Sequence, residues 1–441
     1  MPLKLFFTSI TSTLFSIDYA NYKLWGEFTV KVCGIIVEYN PLHNGHIYHI
    51  NKSRELTNCD VLIAVLSGNF NQRGIPSIVD KYNKTQMALD SGVDLIFELP
   101  SLYSVSSAEF FAFGAISLLN SLSVVDSICF GSEHGDVDIL MEISKTLAKE
   151  PEDFKKILKE NLQNGTLYPT ARSQALLYYL QKKNHNIDDL EKILNSSNNI
   201  LGIEYIKSLL KLKSTIKPYT IKREGASYNS TALNPVFSSA TSIREFIKSK
   251  EPIDNLKCHI PPSVFNHLKK LQSENYNFTF DKSMFPYIKY KSFLDKNSLE
   301  KIPDVSEGLH NRIYNSICES NNYDEIIEKI KSKRYTRTRI SRILCQYFIG
   351  FENFPSNDLR RNPCSYARVL GFNEKGKSIL KSIKNNSDIP LYTKLPKTLN
   401  DTLKLELQAS RTYSLLNKNY RYNEDYLTSP LKKSWLTSGF L

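Results

Sequence analysis

Four apolar runs constrain this chain more than any other feature. VCGIIVEY begins at Val32, DVLIAVLSG at Asp60, VDLIFELP at Val93 and VDSICFGSE at Val125, and each is apolar almost throughout instead of alternating. Helical stretches of roughly 10–15 residues separate them, among them VDKYNKTQMALDSG and SAEFFAFGAISLLNSL. A strand loses its polar face only when both faces are covered, so the pattern predicts a parallel sheet with helices on each side. Right-handed crossovers then give an α/β fold, a Rossmann-like, doubly wound parallel sheet. IKPYTIKREG, from Ile216, predicts a fifth strand, and TSIREFIKS a helix with Thr241 as its cap.

Past Ile253 the alternation of strand and helix stops. Pro-bounded segments such as HIPPSVFNHLKKL predict a mainly α-helical C-terminal domain, with a boundary near residue 250. At 441 residues the chain exceeds one ordinary domain. The division expected is a segment 1–29, a domain 30–250 and a domain 251–441. The first segment holds a short apolar stretch after Lys4 and no small-residue cleavage site, and it reads as an appended or mis-started extension. No run of about 18 apolar residues occurs, so no membrane partner is expected. The 7 cysteines are odd in number and widely spaced, which predicts reduced core thiols in a cytoplasmic protein and no metal centre.

Charge separates the two expected domains. Residues 1–245 carry 24 Lys/Arg against 25 Asp/Glu, whereas residues 246–441 carry 33 against 20. The whole excess lies in the C-terminal part, where a polyanion is the expected partner.

In an open parallel sheet, ligands bind at the carboxyl ends of the strands near the switch point. The turn after the first strand carries Asn40-Pro41-Leu42-His43-Asn44-Gly45-His46, and the helix that follows adds His49. Pro41 fixes the bend, and a helix beginning here offers free N–H groups to an anion. Gly45 leaves room for a flat base against the backbone. His43 and His46, three residues apart, can face one phosphate group and donate to the charge that develops on its leaving oxygens. The spacing therefore predicts nucleoside triphosphate chemistry without a Gly-rich phosphate loop. His49 is expected to pack or to face water.

GIIVEYNPLHNGH resembles the HxGH turn of the nucleotidylyltransferase and class I synthetase superfamily. More closely, the chain is similar to the bacterial tRNA(Met) cytidine acetate ligases. The resemblance runs from Val30 onward through SGNFNQRG, MALDSGVDLIFELP, FGSE, NNILGIEYI, SATSIRE, KRYTRTRISRIL and ASRTYSL. It implies an enzyme that uses ATP with Mg2+ to activate acetate as acetyl-adenylate and then acetylates N4 of the wobble cytidine of elongator tRNA(Met). It also implies an ATP site over Gly34, Ile35, Ile36, Val37, Glu38, Tyr39, Asn40, Pro41, Leu42, His43, Asn44, Gly45, His46, Ile47, Tyr48 and His49. Gly131, Asn198 and Arg223 would add nucleotide contacts, and His43 and His46 would be the catalytic pair. Thr241, Ser242 and Arg244 are candidates for a segment over the triphosphate. Asn69 and Arg73 are candidates near acetate or cytidine, and Lys81 and Lys84 are either active-site or surface charges.

KSKRYTRTRISR supplies Lys331, Lys333, Arg334, Arg337, Arg339 and Arg342 with no acidic residue between them. Read as a helix, it would bury Ile340, Ile343, Leu344, Tyr347 and Phe348 and leave the arginines largely free. That predicts a phosphate-binding face for RNA rather than DNA, with Arg360, Arg361, Arg368, Lys375 and Lys377 as further basic sites. Tyr335 and Tyr366 are candidates for stacking on unpaired bases. A nucleotidylyltransferase that transfers AMP to a small phosphorylated metabolite is the alternative, and it leaves the basic half without a task. An RNA-binding protein with a relic nucleotide fold is a further rival, and it leaves His43, His46 and Arg223 unexplained.

Overall fold

The structure is a computed structural model that describes residues 30–166, 168–183, 190–223 and 238–434. The extension 1–29 lies outside the described residues. Strands β1 (Val32–Val37), β2 (Val61–Ser67), β3 (Leu95–Leu99), β4 (Ser127–Ser132) and β5 (Lys217–Lys222) are the five runs expected from the sequence. They pair in parallel in the order β3-β2-β1-β4-β5. Helices α1 (Asn44–Thr57), α2 (Lys81–Asp90), α3 (Ala108–Ser121) and α4 (Ser197–Lys211) stand among them. The order reverses direction between β1 and β4, which opens a crevice at their carboxyl ends. The β1 strand passes close beneath α3: a Cβ on Gly34 would sit 2.8 Å from Leu119 Cδ1.

The sheet does not end at the expected boundary near 250. Strands β6 (Ala367–Asn373), β7 (Leu391–Tyr392) and β8 (Leu431–Lys433) bring it to eight strands. The β6 strand lies antiparallel on β3, with Leu95 opposite Phe372, while β7 and β8 run parallel to β6. The fold is thus the Rossmann-like α/β sheet expected, extended by an antiparallel strand. The division into 30–250 and 251–441 is not where the sheet divides. The strand ARVLGFN does not read as a buried strand because it carries Arg368, a charge that suits one only when paired. Here its guanidinium meets Glu98 at 3.1 Å and Asp425 at 3.0 Å.

Lys81 joins the same buried cluster, 2.6 Å from Glu98 and 2.8 Å from Asp425, with Glu406 at 3.7 Å. Lys81 is therefore neither a surface charge nor a cavity residue. It ties α2 to β3 and to the C-terminal segment. Further helices are α5 (Ala240–Lys248), α6 (Arg337–Ile349), α7 (Glu374–Asn386) and α8 (Asp401–Leu416). The cap of α5 is Ser239, whose hydroxyl accepts from Ser242 N at 3.0 Å, and not Thr241. Ile340, Ile343, Leu344, Tyr347 and Phe348 form the buried stripe of α6 that their spacing predicts. That helix starts only at Arg337, with Thr336 as cap. Among the described residues no helix is long and apolar enough to cross a membrane.

Candidate active site

Strand β1 delivers the chain to the crevice, where Tyr39 takes a left-handed φ of 46° and the Asn40-Pro41 bond is cis. Two outside contacts hold this turn. Asn40 Oδ1 accepts from Ile78 N at 2.8 Å, and Arg244 donates to Asn40 O at 2.8 Å. Helix α1 then begins at Asn44 with His43 as its cap. His43 Nδ1 accepts from Gly45 N at 3.2 Å, and His46 Nδ1 accepts from His43 N at 3.1 Å. This is a capping box in which imidazoles replace the usual hydroxyl and carboxylate.

The box fixes the protons. With each Nδ1 used as an acceptor, each neutral ring carries its proton on Nε2. The two rings stack with centroids 3.8 Å apart, and both residues line one cavity. Burial, helped by Arg223 and Arg244, pushes His43 down to about 3. Burial and the neighbouring His43 hold His46 well below its usual range. Both imidazoles are therefore neutral N–H donors at pH 7, positioned beside the N–H groups of a helix start. His49 is pushed down to about 4 by burial, and its Nε2 lies 3.1 Å from Cys129 O, which ties α1 to β4.

The crevice above this turn is a cavity lined by Ile36, Val37, Glu38, Tyr39, Asn40, His43, Gly45, His46, Tyr48 and His49 from the first βα unit. Gly131 at the end of β4, Asn198 at the start of α4 and Arg223 at the end of β5 close its opposite side. Four separate parts of the sequence thus meet in one space. Gly34, Ile35, Pro41, Leu42, Asn44 and Ile47 do not line it. Gly34 packs on Leu119, and Asn44 donates to Cys258 O at 3.3 Å. Asn198 is not a helix cap. Its amide donates to Glu133 Oε1 at 2.7 Å, and Glu133 also accepts from the backbone N–H groups of Asn198 and Asn199. Gly131 faces Arg223, whose Cγ would stand 3.2 Å from an added Cβ. Thr241 and Arg244 line the cavity and are joined at 3.0 Å, whereas Ser242 is buried against Ser239.

Sequence reasoning missed an apolar wall of Phe111, Phe130, Leu201, Tyr205 and Ile221. Phe130 and Tyr205 meet edge to face at 5.6 Å, and Gly202 lets α4 approach the Phe130 ring. Such a wall suits a flat base, while Arg223, Arg244 and the histidine edge suit phosphates. The only signal for it was that Phe130 directly precedes Gly131. Asn71 and Gln72 also line the cavity beside Arg73. Asn69 lies just behind, accepting from Lys81 N at 2.9 Å.

A family model described as HIGH Nucleotidyl Transferase matches residues 30–426. The chain belongs to this family. It is 56% identical to a tRNA(Met) cytidine acetate ligase of Clostridium novyi over 91% of this chain and 99% of that one. It is 50% identical to one of Clostridium tetani over 92% of this chain and 100% of that one. A crystal structure of Thermotoga maritima TmcAL bound with alpha-thio ATP superposes with a TM-score of 0.83 at 33% identity, covering 92% of this chain and 100% of that one.

In this member of the HIGH family the basic segment 331–342 is less free than its sequence predicts. Arg334 pairs with Glu307, and Arg337 with Asp324 at 2.8 Å and Glu328 at 3.3 Å. Lys331 lies 3.8 Å from Glu328, and Arg339 donates to Asp304 O at 3.0 Å. Arg342 is largely covered, its side chain 12% exposed and 4.0 Å from Asp304. Lys331, Lys333, Arg334 and Arg337 remain exposed despite these pairings. Arg360 and Arg368 are buried in ion pairs and Tyr366 is fully buried, so none of these meets RNA in this arrangement. Arg361, Lys375 and Lys377 are exposed. The carboxylates that quench the arginines come from residues 304–328, beyond the reach of a local charge count.

Proposed function

We propose that this chain is an ATP-dependent ligase that joins acetate to N4 of the wobble cytidine of elongator tRNA(Met) through an acetyl-adenylate. The histidine capping box carries the reading, since it aims two Nε2–H donors and a helix start into one cavity in a chain 56% identical to such ligases. In the first step an acetate oxygen bonds to the α-phosphorus of ATP, and the bond from that phosphorus to pyrophosphate breaks. His43 and His46 donate to the oxygens that gain charge, while Arg223 and Arg244 hold phosphates. In the second step the cytidine N4 amine attacks the acetyl carbon, the bond to AMP breaks, and the amine gives up one proton to the departing phosphate or to water. Much of the acceleration comes from holding two substrates in register.

Among the described residues no group of three or more metal-ligating side chains exists, and Glu38 is the one carboxylate lining the cavity. That donor set fits Mg2+ carried mainly by the triphosphate, with Glu38 as the protein's contribution. The ion would neutralise phosphate charge. Among the exposed cations, Lys333, Arg334 and Arg361 are proposed to meet tRNA phosphates, in the cytoplasm where tRNA works. Exchange of labelled pyrophosphate into ATP tests the reading. It should require acetate, and labelled acetate should then reach tRNA(Met). Exchange that ignores acetate overturns it in favour of AMP transfer to another acceptor.

A further inference from the structure

Lys81 and Lys84 lie one turn apart on α2, and both are fully buried. Lys81 is surrounded by carboxylates. Lys84 is not. Its ammonium has one hydrogen bond, to Ser77 Oγ at 2.9 Å, and Glu38, Asp80 and Glu98 act on it only from a distance. A buried cation without a counter-ion is costly and needs an explanation.

The groups between Lys84 and the cavity supply one. Ser77 Oγ donates to Gly68 O at 3.1 Å and accepts from Asn71 Nδ2 at 3.1 Å, and Asn71 lines the cavity. Asn40 also lines it, and its Oδ1 is used by Ile78 N, so its Nδ2 is left without a partner in a side chain 5% exposed. The Tyr39 hydroxyl and Asn69 Nδ2 are likewise buried and unpartnered. Glu38 Oε1 is turned to Gln72 N at 2.6 Å. Asn40 Nδ2, Asn69 Nδ2 and the Tyr39 hydroxyl are thus left without acceptors at or behind this wall. Glu38 is the one carboxylate on it, and the Lys84 amine lies behind with no carboxylate in contact.

We propose that the corner between the tips of β1 and β2 is the subsite for the small monocarboxylate, with Asn40 and Asn71 on its wall and Lys84 as the positioning residue behind them. This rests on the ligase reading above. The phosphates have their own donors at the histidine edge, Arg223 and Arg244, whereas this corner offers neutral amides and a point charge in close packing. A carboxylate held there presents an oxygen to the α-phosphorus. The oxygen–phosphorus bond forms as the bond to pyrophosphate breaks, and no proton moves in that step. Burial pushes the Lys84 amine down to about 7, and a bound anion would restore its charge.

The test uses the full chain with Lys84→Met and Lys84→Arg, reading ATP affinity by equilibrium binding and pyrophosphate exchange against acetate concentration. Lys84→Met should raise the acetate KM at least tenfold while the ATP Kd shifts less than twofold, and Lys84→Arg should recover most of the loss. An unchanged acetate KM in folded Lys84→Met overturns the subsite. If that variant does not fold, Asn71→Asp, which puts a negative charge on the wall, must raise the acetate KM or the subsite is wrong. Wild-type protein whose exchange ignores acetate would remove the ligase reading, and the subsite with it.

Discussion

The Nδ1 atom of His43 is committed to the Gly45 amide 3.2 Å away, so a replacement that only caps the helix separates folding from chemistry. Asn is among the best caps and carries no Nε2 donor. His43→Asn should keep its stability within about 1 kcal/mol of wild type, the usual range for a cap exchange. It should lose roughly 10²–10³-fold in acetate-dependent exchange, as when one preorganised donor to a developing oxyanion is removed. Urea unfolding and initial exchange rates measure the two effects separately. His46→Ala should lose as much activity and also cost about 1–2 kcal/mol, because the His43 amide loses its acceptor. Since burial holds both rings neutral, neither should produce an acid limb near pH 6.5 in the exchange rate.

At the scale of elements, continuous apolar runs made β1 to β4 legible, because burial on both faces leaves a local imprint. The histidine turn was legible for the same reason: strand, bend and helix start are contiguous. What stayed hidden depends on partners far along the chain. The β6 strand is readable only once Arg368 is known to meet Glu98, 270 residues away. Arg342 looked free until Asp304 was beside it. The buried ionic cluster has a testable asymmetry. Burial, reinforced by Glu98, pushes Glu406 up to about 8 from an ordinary 4.5, outweighing Lys81 at 3.7 Å. The folded chain thus holds this proton more tightly than the unfolded chain. Its contribution is complete below about pH 4.5 and is lost as pH rises through about 8. Glu406→Gln keeps an acceptor for Ser101 N and has no proton to lose. It should match wild type at pH 6 and exceed it at pH 9 in urea midpoint. A variant less stable than wild type at pH 9 would show the carboxylate to be needed ionised.

Across the whole molecule, the C-terminal half is joined to the catalytic cavity by close backbone contact as well as by the shared sheet. Gly74, with φ +72°, sits where a Cβ would stand 2.3 Å from the amide nitrogen of Arg342, and the adjacent Arg73 lines the cavity. The basic approach to α6 therefore ends against the loop that borders the chemistry, and RNA held along it would lie near the cavity mouth. The arginines of this segment should divide by burial. Arg334 is exposed, and its pairing with Glu307 is a surface pair worth at most about 1 kcal/mol, so a phosphate can take its place. Arg334→Ala should leave thermal stability unchanged and weaken tRNA binding. It should also lower the log–log salt slope by about 0.7–0.9, the loss of one phosphate contact. Arg342 is only 12% exposed, and burial lowers its pKa against the pull of Asp304, so it is expected to serve packing more than phosphate contact. Arg342→Ala should lower the melting temperature, because Asp304 loses a cation and the packing on the Gly74 loop loosens, while the salt slope stays as in wild type. Salt-dependent filter binding with differential scanning fluorimetry on both variants distinguishes the roles, and equal salt slopes for Arg334→Ala and wild type would remove this segment from the RNA interface.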